Sequence, residues 1–170
     1  MIELRTKRLL LRLPRNGDSL ALAELLNDYD VVKWLSNVPY PYTVSDAEQW
    51  VQIVNESINE ESPSIQLSIF MNDVLIGGVG LRYTDDGLYE LGYWLAQEYW
   101  GKGLALEAAT ELLRYGRESL ADLRVIAHCA KDNAASMSVL RKLGFEATGE
   151  IDVYCAPRDA SLLSFRLSLP

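Results

Sequence analysis

The sequence is short of the residues that staple or metallate small proteins, with two cysteines and one histidine in 170 residues. Cys129 and Cys155 are too few for a disulfide framework, and neither sits in a paired metal-ligand spacing, so a reducing compartment is the simpler reading and no metal is expected. Basic side chains are also outnumbered, sixteen Lys and Arg against twenty-four Asp and Glu, for a formal charge of −8. That balance argues against a protein that tracks a phosphate backbone, so no nucleic-acid partner is expected. Long apolar runs are missing as well: nowhere do about 18 such residues follow one another, the length a bilayer-crossing helix needs. The opening MIELRTKRLLLRLP breaks its apolar positions with charges, unlike a secretion signal. The expected setting is cytoplasmic, with no membrane partner.

What is present is ordinary for a folding chain. Hydrophobic residues make up 49% and charged residues 24%, a balance that predicts one globular domain over residues 1–170. The charge is unevenly placed. Residues 1–15 carry five basic and one acidic side chain, residues 16–100 two and fourteen, and residues 101–170 nine and nine. The acidic middle serves solubility or attracts a cationic substrate.

Periodicity sets the order of elements. RLLLRL at 8–13 reads as a strand that Pro14 ends. Asp18 is placed to cap a helix carrying Leu20, Leu22, Leu25 and Leu26. Ser45-Asp46-Ala47-Glu48 matches a capping box for a second helix whose buried stripe is Trp50, Val51, Ile53, Val54 and Ile58. Between them NVPYPYT at 37–43 is a loop, its tyrosines facing substrate or packing on the core. IQLSIFM (65–71) and VLIGGVGLRY (74–83) form a hairpin around Asn72-Asp73, and LYELGYWLA (88–96) follows. A helix over 103–119, a strand at 123–129, a helix from Asn133 to Gly144 and strands at 145–155 and 161–168 complete the chain. Hairpins argue for antiparallel pairing and the later strand-helix-strand units for parallel pairing. The fold class is therefore α/β (α+β), a mixed sheet with helices on both faces.

The most informative segment is ELGYWLAQEYWGKGLALEA, residues 90–108, a strand, a glycine turn and a helix. Gly101 and Gly103 let backbone approach a ligand, and the helix start that follows presents unpaired amides with partial positive charge, an arrangement that binds phosphate. Lys102 adds a cation. The spelling fits neither a Walker loop nor a dinucleotide fingerprint, which would need a glycine where Leu106 stands. A second segment, AKDNAASMSVLRKLGFEATGE at 130–150, puts Asn133 and Ser136 at a helix start. With TKRLLLRLP at 6–14, these segments resemble the GNAT superfamily of acetyl-CoA-dependent N-acetyltransferases, and most closely its branch of ribosomal-protein N-terminal (alanine/serine) acetyltransferases. The resemblance spans nearly the whole chain and implies a central, mostly antiparallel sheet that splays at the cofactor site.

By that resemblance, Trp100, Gly101, Lys102, Gly103, Leu104 and Ala105 form the loop that holds the coenzyme A pyrophosphate, with Trp100 where the family prefers Gln or Arg. Tyr93, Trp94 and Leu95 lie on the splayed strand and expose backbone groups to the pantetheine arm, and Asn133 meets the arm from the other side. Glu90 takes the place of the acidic base that accepts the amine's proton. Alternation puts Glu90, Gly92 and Trp94 on one face and Leu91, Tyr93 and Leu95 on the other, and half-burial should raise the Glu90 pKa. The tyrosine that many members use to protonate the thiolate is replaced by Leu140, and the serine-bearing branch points to Ser136, with Ser138, Tyr154 or water as substitutes. His128 reads as a packed core histidine and Cys129 as a small buried hydrophobe. The expected activity is direct transfer from acetyl-CoA to a primary amine, foremost a protein N-terminus. The alternatives are a small cationic amine such as a polyamine or aminoglycoside, or a non-catalytic acyl-CoA-binding module. Exposed sheet edges would allow a homodimer.

Overall fold

The computed structural model describes residues 2–61 and 63–170. A short hairpin, β1 (Glu3–Arg5) and β2 (Leu10–Arg12), leads into α1 (Ser19–Leu26), α2 (Tyr29–Val32) and α3 (Val44–Ser57). Then come β3 (Ile65–Met71), β4 (Val74–Tyr83), β5 (Tyr89–Leu95), α4 (Leu104–Ser119), β6 (Val125–Ala130), α5 (Ala134–Lys142), β7 (Glu146–Cys155) and β8 (Ala160–Ser168). The strands make one eight-stranded sheet in the order β1-β2-β3-β4-β5-β6-β8-β7. All neighbours are antiparallel except β5 and β6, so the sheet is mixed and mostly antiparallel, as expected.

Each face of the sheet buries its own apolar cluster. On one, Leu81, Leu91 and Leu167 pack under Leu104, Ala108 and Leu112 of α4 and Leu140 of α5. On the other, Phe70 and Leu75 pack under Leu22 of α1, Val32 of α2 and Val51 of α3, with Trp94 against them. Among the described residues no helix is long and apolar enough to cross a membrane.

Several local expectations shift. The first strand is shorter than 8–13 and is preceded by β1, which it pairs through Leu4 and Leu11. The α3 capping box begins at Thr43 rather than Ser45: the Thr43 hydroxyl accepts from the Asp46 amide, and the Asp46 carboxylate accepts from the Thr43 amide at 2.7 Å. An acid at the third helical position serves that reciprocal bond as Glu does. The buried stripe of α3 is correspondingly narrow, Ala47, Val51 and Val54, with Ile53 exposed. Asp18 makes no side-chain cap on α1. Its carboxylate instead pairs with Arg12 at 2.8 Å and accepts from the Arg15 amide, tying β2 to the helical layer. In the 37–43 loop Tyr42 is buried and Tyr40 exposed, so one of the two tyrosines packs on the core.

The pairing of β5 carries the functional consequence. Against β4 it stays in register for seven pairs, from Tyr83↔Tyr89 to Gly77↔Leu95. Against β6 only two pairs exist, Tyr89↔Val125 and Glu90↔Ile126. Beyond Glu90 the two strands separate, and residues 91–95 have no sheet partner on that side.

Candidate active site

The glycine loop leaves β5 through a 3-10 turn at Gln97–Tyr99 and enters α4. Gly101 and Gly103 have φ of 70° and 74°, in the left-handed region where a side chain is strained and glycine is not. Gly103 is the α4 N-cap and supplies no side chain. The amides of residues 101–106 find no protein acceptor among the described residues, and an added Cβ at Gly101 would meet nothing within 4 Å. A run of free amides at a helix start with open space beside them fits a pyrophosphate. Arg8, between β1 and β2, braces the loop: its guanidinium donates to the Lys102 carbonyl at 2.9 Å and to Glu107 of α4 at 2.6 Å. Lys102 is exposed, its ammonium 5.4 Å from the Tyr99 ring centroid. The Trp100 indole donates to the Leu95 carbonyl at 2.7 Å, fixing the loop to the end of β5.

On the α4/α5 face of the opening lie Tyr93, Cys129, Asn133 and Ser136. The Asn133 side chain caps α5 by accepting from the Ser136 amide at 3.2 Å, the arrangement expected of a helix start rich in Asn and Ser. The Tyr93 hydroxyl donates to the Ser136 carbonyl at 3.1 Å and lies 2.9 Å from its Oγ. Burial pushes the Tyr93 phenol up to about 12, helped by nearby Cys129 and opposed by the Ser136 bond. Burial likewise raises the Cys129 thiol. Ser136 is therefore brought to the opening and wired to a phenol.

On the opposite face, the Glu90 carboxylate bridges the seam. One oxygen faces His128 Nδ1 at 2.8 Å, and the other accepts from Arg82, its cross-strand partner on β4. Burial would raise the Glu90 carboxyl, but His128 and Arg82 outweigh it and hold the pKa below the ordinary glutamate value. The expectation of a raised pKa is thus overturned, because half-burial brings two cationic or hydrogen-bonding partners along with desolvation. With Glu90 ionised, Nδ1 donates, and Nε2 is buried with no protein partner among the described residues. Gly92 follows on the same face, exposed, with nothing within 4 Å of an added Cβ. Beyond it the Trp94 indole covers Gly78. The result is an open floor between a tryptophan wall and a charged end.

The two faces thus divide the expected residues. Glu90 stands at the closed end of the seam on one face, with Tyr93 and Ser136 on the other. The Trp94 side chain lies away from Tyr93 and Leu95, as alternation requires. Leu140 is sealed in the core, Ser138 is exposed, and Tyr154 sits on the outermost strand, donating to Asp159 at 2.7 Å. The Tyr154 hydroxyl is thus tied up on a strand that β8 separates from β6. His128 is mostly buried and hydrogen-bonded, as expected, and its exposed fifth lines the Glu90 depression of about 280 Å³. Sequence reasoning missed Arg82 and Arg166, which share that depression.

A sheet opened between one parallel pair, with free loop amides at one end and a carboxylate at the other, is the arrangement that the resemblance implies for an acyl-group transferase. Residues 8–146 match the family model described as an acetyltransferase (GNAT) domain, and the chain belongs to that family. It is 32% identical over 157 residues to the uncharacterized N-acetyltransferase p20 of Bacillus licheniformis, covering 91% of this chain and 88% of that protein. It is 28% identical over 160 residues to the [ribosomal protein uS5]-alanine N-acetyltransferase of Escherichia coli, covering 87% and 80%. Among solved structures, a ribosomal L7/L12 α-N-protein acetyltransferase in complex with coenzyme A superposes with a TM-score of 0.80 at 18% identity, over 96% of this chain and 94% of that one.

Proposed function

We propose that the protein transfers the acetyl group of acetyl-CoA to the N-terminal α-amine of a polypeptide, by direct attack with both substrates bound. Residues 1–170 act in it as one catalytic domain in the cytoplasm. The observation that carries this reading is the seam between β5 and β6, open from residue 91 onward and bounded by Glu90 on one face and the Tyr93–Ser136 pair on the other. The names of the ribosomal-protein relatives favour an N-terminal amine, and the coenzyme A complex of a structural neighbour favours the donor.

Bound acetyl-CoA supplies a thioester whose carbonyl carbon is the electrophile. The amides of Gly101 to Leu106 hold its pyrophosphate, Arg8 keeps that loop in shape, and the free edge of Tyr93 to Leu95 pairs with the pantetheine arm as an added strand would. The amine enters over Gly92. As the C–N bond forms and the C–S bond breaks, Glu90 accepts the proton shed by nitrogen, oriented by Arg82 and His128. Ser136 donates a hydrogen bond to the departing sulfur. A serine hydroxyl is too weak an acid to give up its own proton, so its role is to stabilise thiolate, with Tyr93 fixing its position. Release of free thiol from acetyl-CoA, measured against a panel of N-terminal peptides, polyamines and aminoglycosides, tests the reading. Turnover confined to α-amines of peptides is expected, and turnover confined to small polyamines or aminoglycosides would overturn it.

A further inference from the structure

The Glu90 depression shares Ile126 and Arg166 with a second, larger one of about 460 Å³. Its polar lining is Arg124, Arg166, Thr148 and Ser168 over a floor that includes Ile126 and Leu169, and it contains no carboxylate. In a chain with eight more acids than bases, a hollow with two guanidiniums and no acid is a local reversal of the global charge. Arg166 is half-buried, opposite His128 in the β6–β8 register, and its guanidinium has no acid or hydrogen-bond partner among the described residues. Arg82, by contrast, is already paired with Glu90, and the other two acids that line the smaller depression, Asp85 and Asp86, are exposed at its turn end. A half-buried guanidinium without a counter-charge is a ready partner for a carboxylate, which it can take through two parallel bonds.

We propose that this hollow binds a carboxylate of the acceptor, so that the enzyme selects amines tethered to an acidic group. The inference rests on the acceptor reading given above and extends it. The spacing identifies the tether. Glu90 pairs with Ile126, and Arg166 with His128 two residues further along β6, so at about 4.8 Å per strand and about 3.3 Å per residue the Glu90 and Arg166 α-carbons lie about 12 Å apart across the sheet. Extended peptide advances about 3.3 Å per residue, which places an Asp or Glu side chain at the second or third position over Arg166 when the N-terminal amine is at Glu90.

The test uses hexapeptides identical except for Asp, Asn or Lys at positions two and three, with free aspartate and glutamate as a separate arm, in the thiol-release assay. The expected kcat/KM order is Asp over Asn over Lys, with Asp favoured over Asn by about tenfold or more. In Arg166→Gln the Asp-to-Asn ratio falls to near one, and Arg166→Lys keeps part of it. Acetyl-CoA affinity, measured by calorimetry, confirms that each variant is folded. An Asp-to-Asn ratio near one in the native protein, or a ratio that Arg166→Gln leaves intact, would overturn the proposal. Acetylation of free aspartate with the same dependence on Arg166, and of no peptide, would support the carboxylate site while overturning the peptide reading of the function.

Discussion

Replacing Glu90 by Gln removes the charge while keeping the shape and one acceptor oxygen, so it isolates what the carboxylate does. Arg82 and His128 hold the Glu90 pKa below that of an ordinary glutamate, and the group is therefore ionised throughout the range from about pH 5 upward. An α-amino group has a pKa of about 8, so near pH 7 roughly one acceptor in ten is the neutral nucleophile. It follows that the acidic limb of kcat/KM belongs to the substrate, rising tenfold per pH unit up to about pH 8. Glu90→Gln should lower the plateau by roughly 10²–10⁴, the usual worth of a positioned base, equivalent to about 2.7–5.4 kcal/mol of barrier. The midpoint of the limb should stay where it is. The measurement is initial rate of thiol release at subsaturating peptide from pH 5 to 9.5, with acetyl-CoA affinity followed separately and expected to be retained. A limb whose midpoint moves on Glu90→Gln would show that Glu90 itself titrates in the working range, and a plateau lowered less than tenfold would remove it from proton transfer. The same depressed pKa has a stability consequence of fixed sign. A carboxyl lowered on folding stabilises above its unfolded pKa of about 4.3, and that contribution is lost as pH falls through the folded value. The native protein should therefore lose its stability advantage over Glu90→Gln below about pH 4.

Other expectations concern the opposite face, the loop and the floor. Ser136→Ala and Tyr93→Phe should each lower kcat, and the double variant should cost less than the product of the two, because the hydroxyls lie 2.9 Å apart and act together; independent effects in a double-mutant cycle would separate their roles. Gly103→Val forces a β-branched residue to φ near 74° and should weaken acetyl-CoA binding at least tenfold by calorimetry, so full affinity would sink the placement of the pyrophosphate. Gly77 and Gly92 make a contrasting pair. An added Cβ at Gly77 would overlap the Trp94 carbonyl, and Gly77→Ala should cost about 1–3 kcal/mol, a fall in Tm of roughly 2–12 °C for a chain of this size. Gly92→Val meets open space and should leave Tm nearly unchanged while abolishing turnover, since it raises the floor under the incoming amine; retained turnover would move the acceptor elsewhere.

What could be read from sequence was what is local. The loop at 100–105 was legible because positive φ demands glycine and the following helix start is contiguous with it. The faces of β5 were legible because alternation has a fixed period. The Arg82–Glu90 pair was within reach, since the Asp85-Asp86-Gly87 turn sets a hairpin register that puts those residues opposite one another. Placing His128 and Arg166 was not, because it depends on β8 inserting between β6 and β7, an order that no local pattern encodes. The error over the Glu90 pKa came from the same source: burial was foreseeable from one strand, the partners that override it come from two others. Tyr93 was expected only as a backbone contact, and its hydroxyl bond to Ser136 spans 43 residues of chain.

The two backbone pairs that join β5 to β6 also make the protein mechanically divisible. Five strands lie to one side of that join and three to the other. On the placement proposed above, acetyl-CoA would be a structural member of the sheet while bound, and the departure of coenzyme A would reopen the gap. Ligand at a hundred times its dissociation constant would stabilise the fold by about 2.7 kcal/mol, and the gain in hydrogen-exchange protection should be concentrated in β5 and β6, leaving the β7–β8 hairpin little changed.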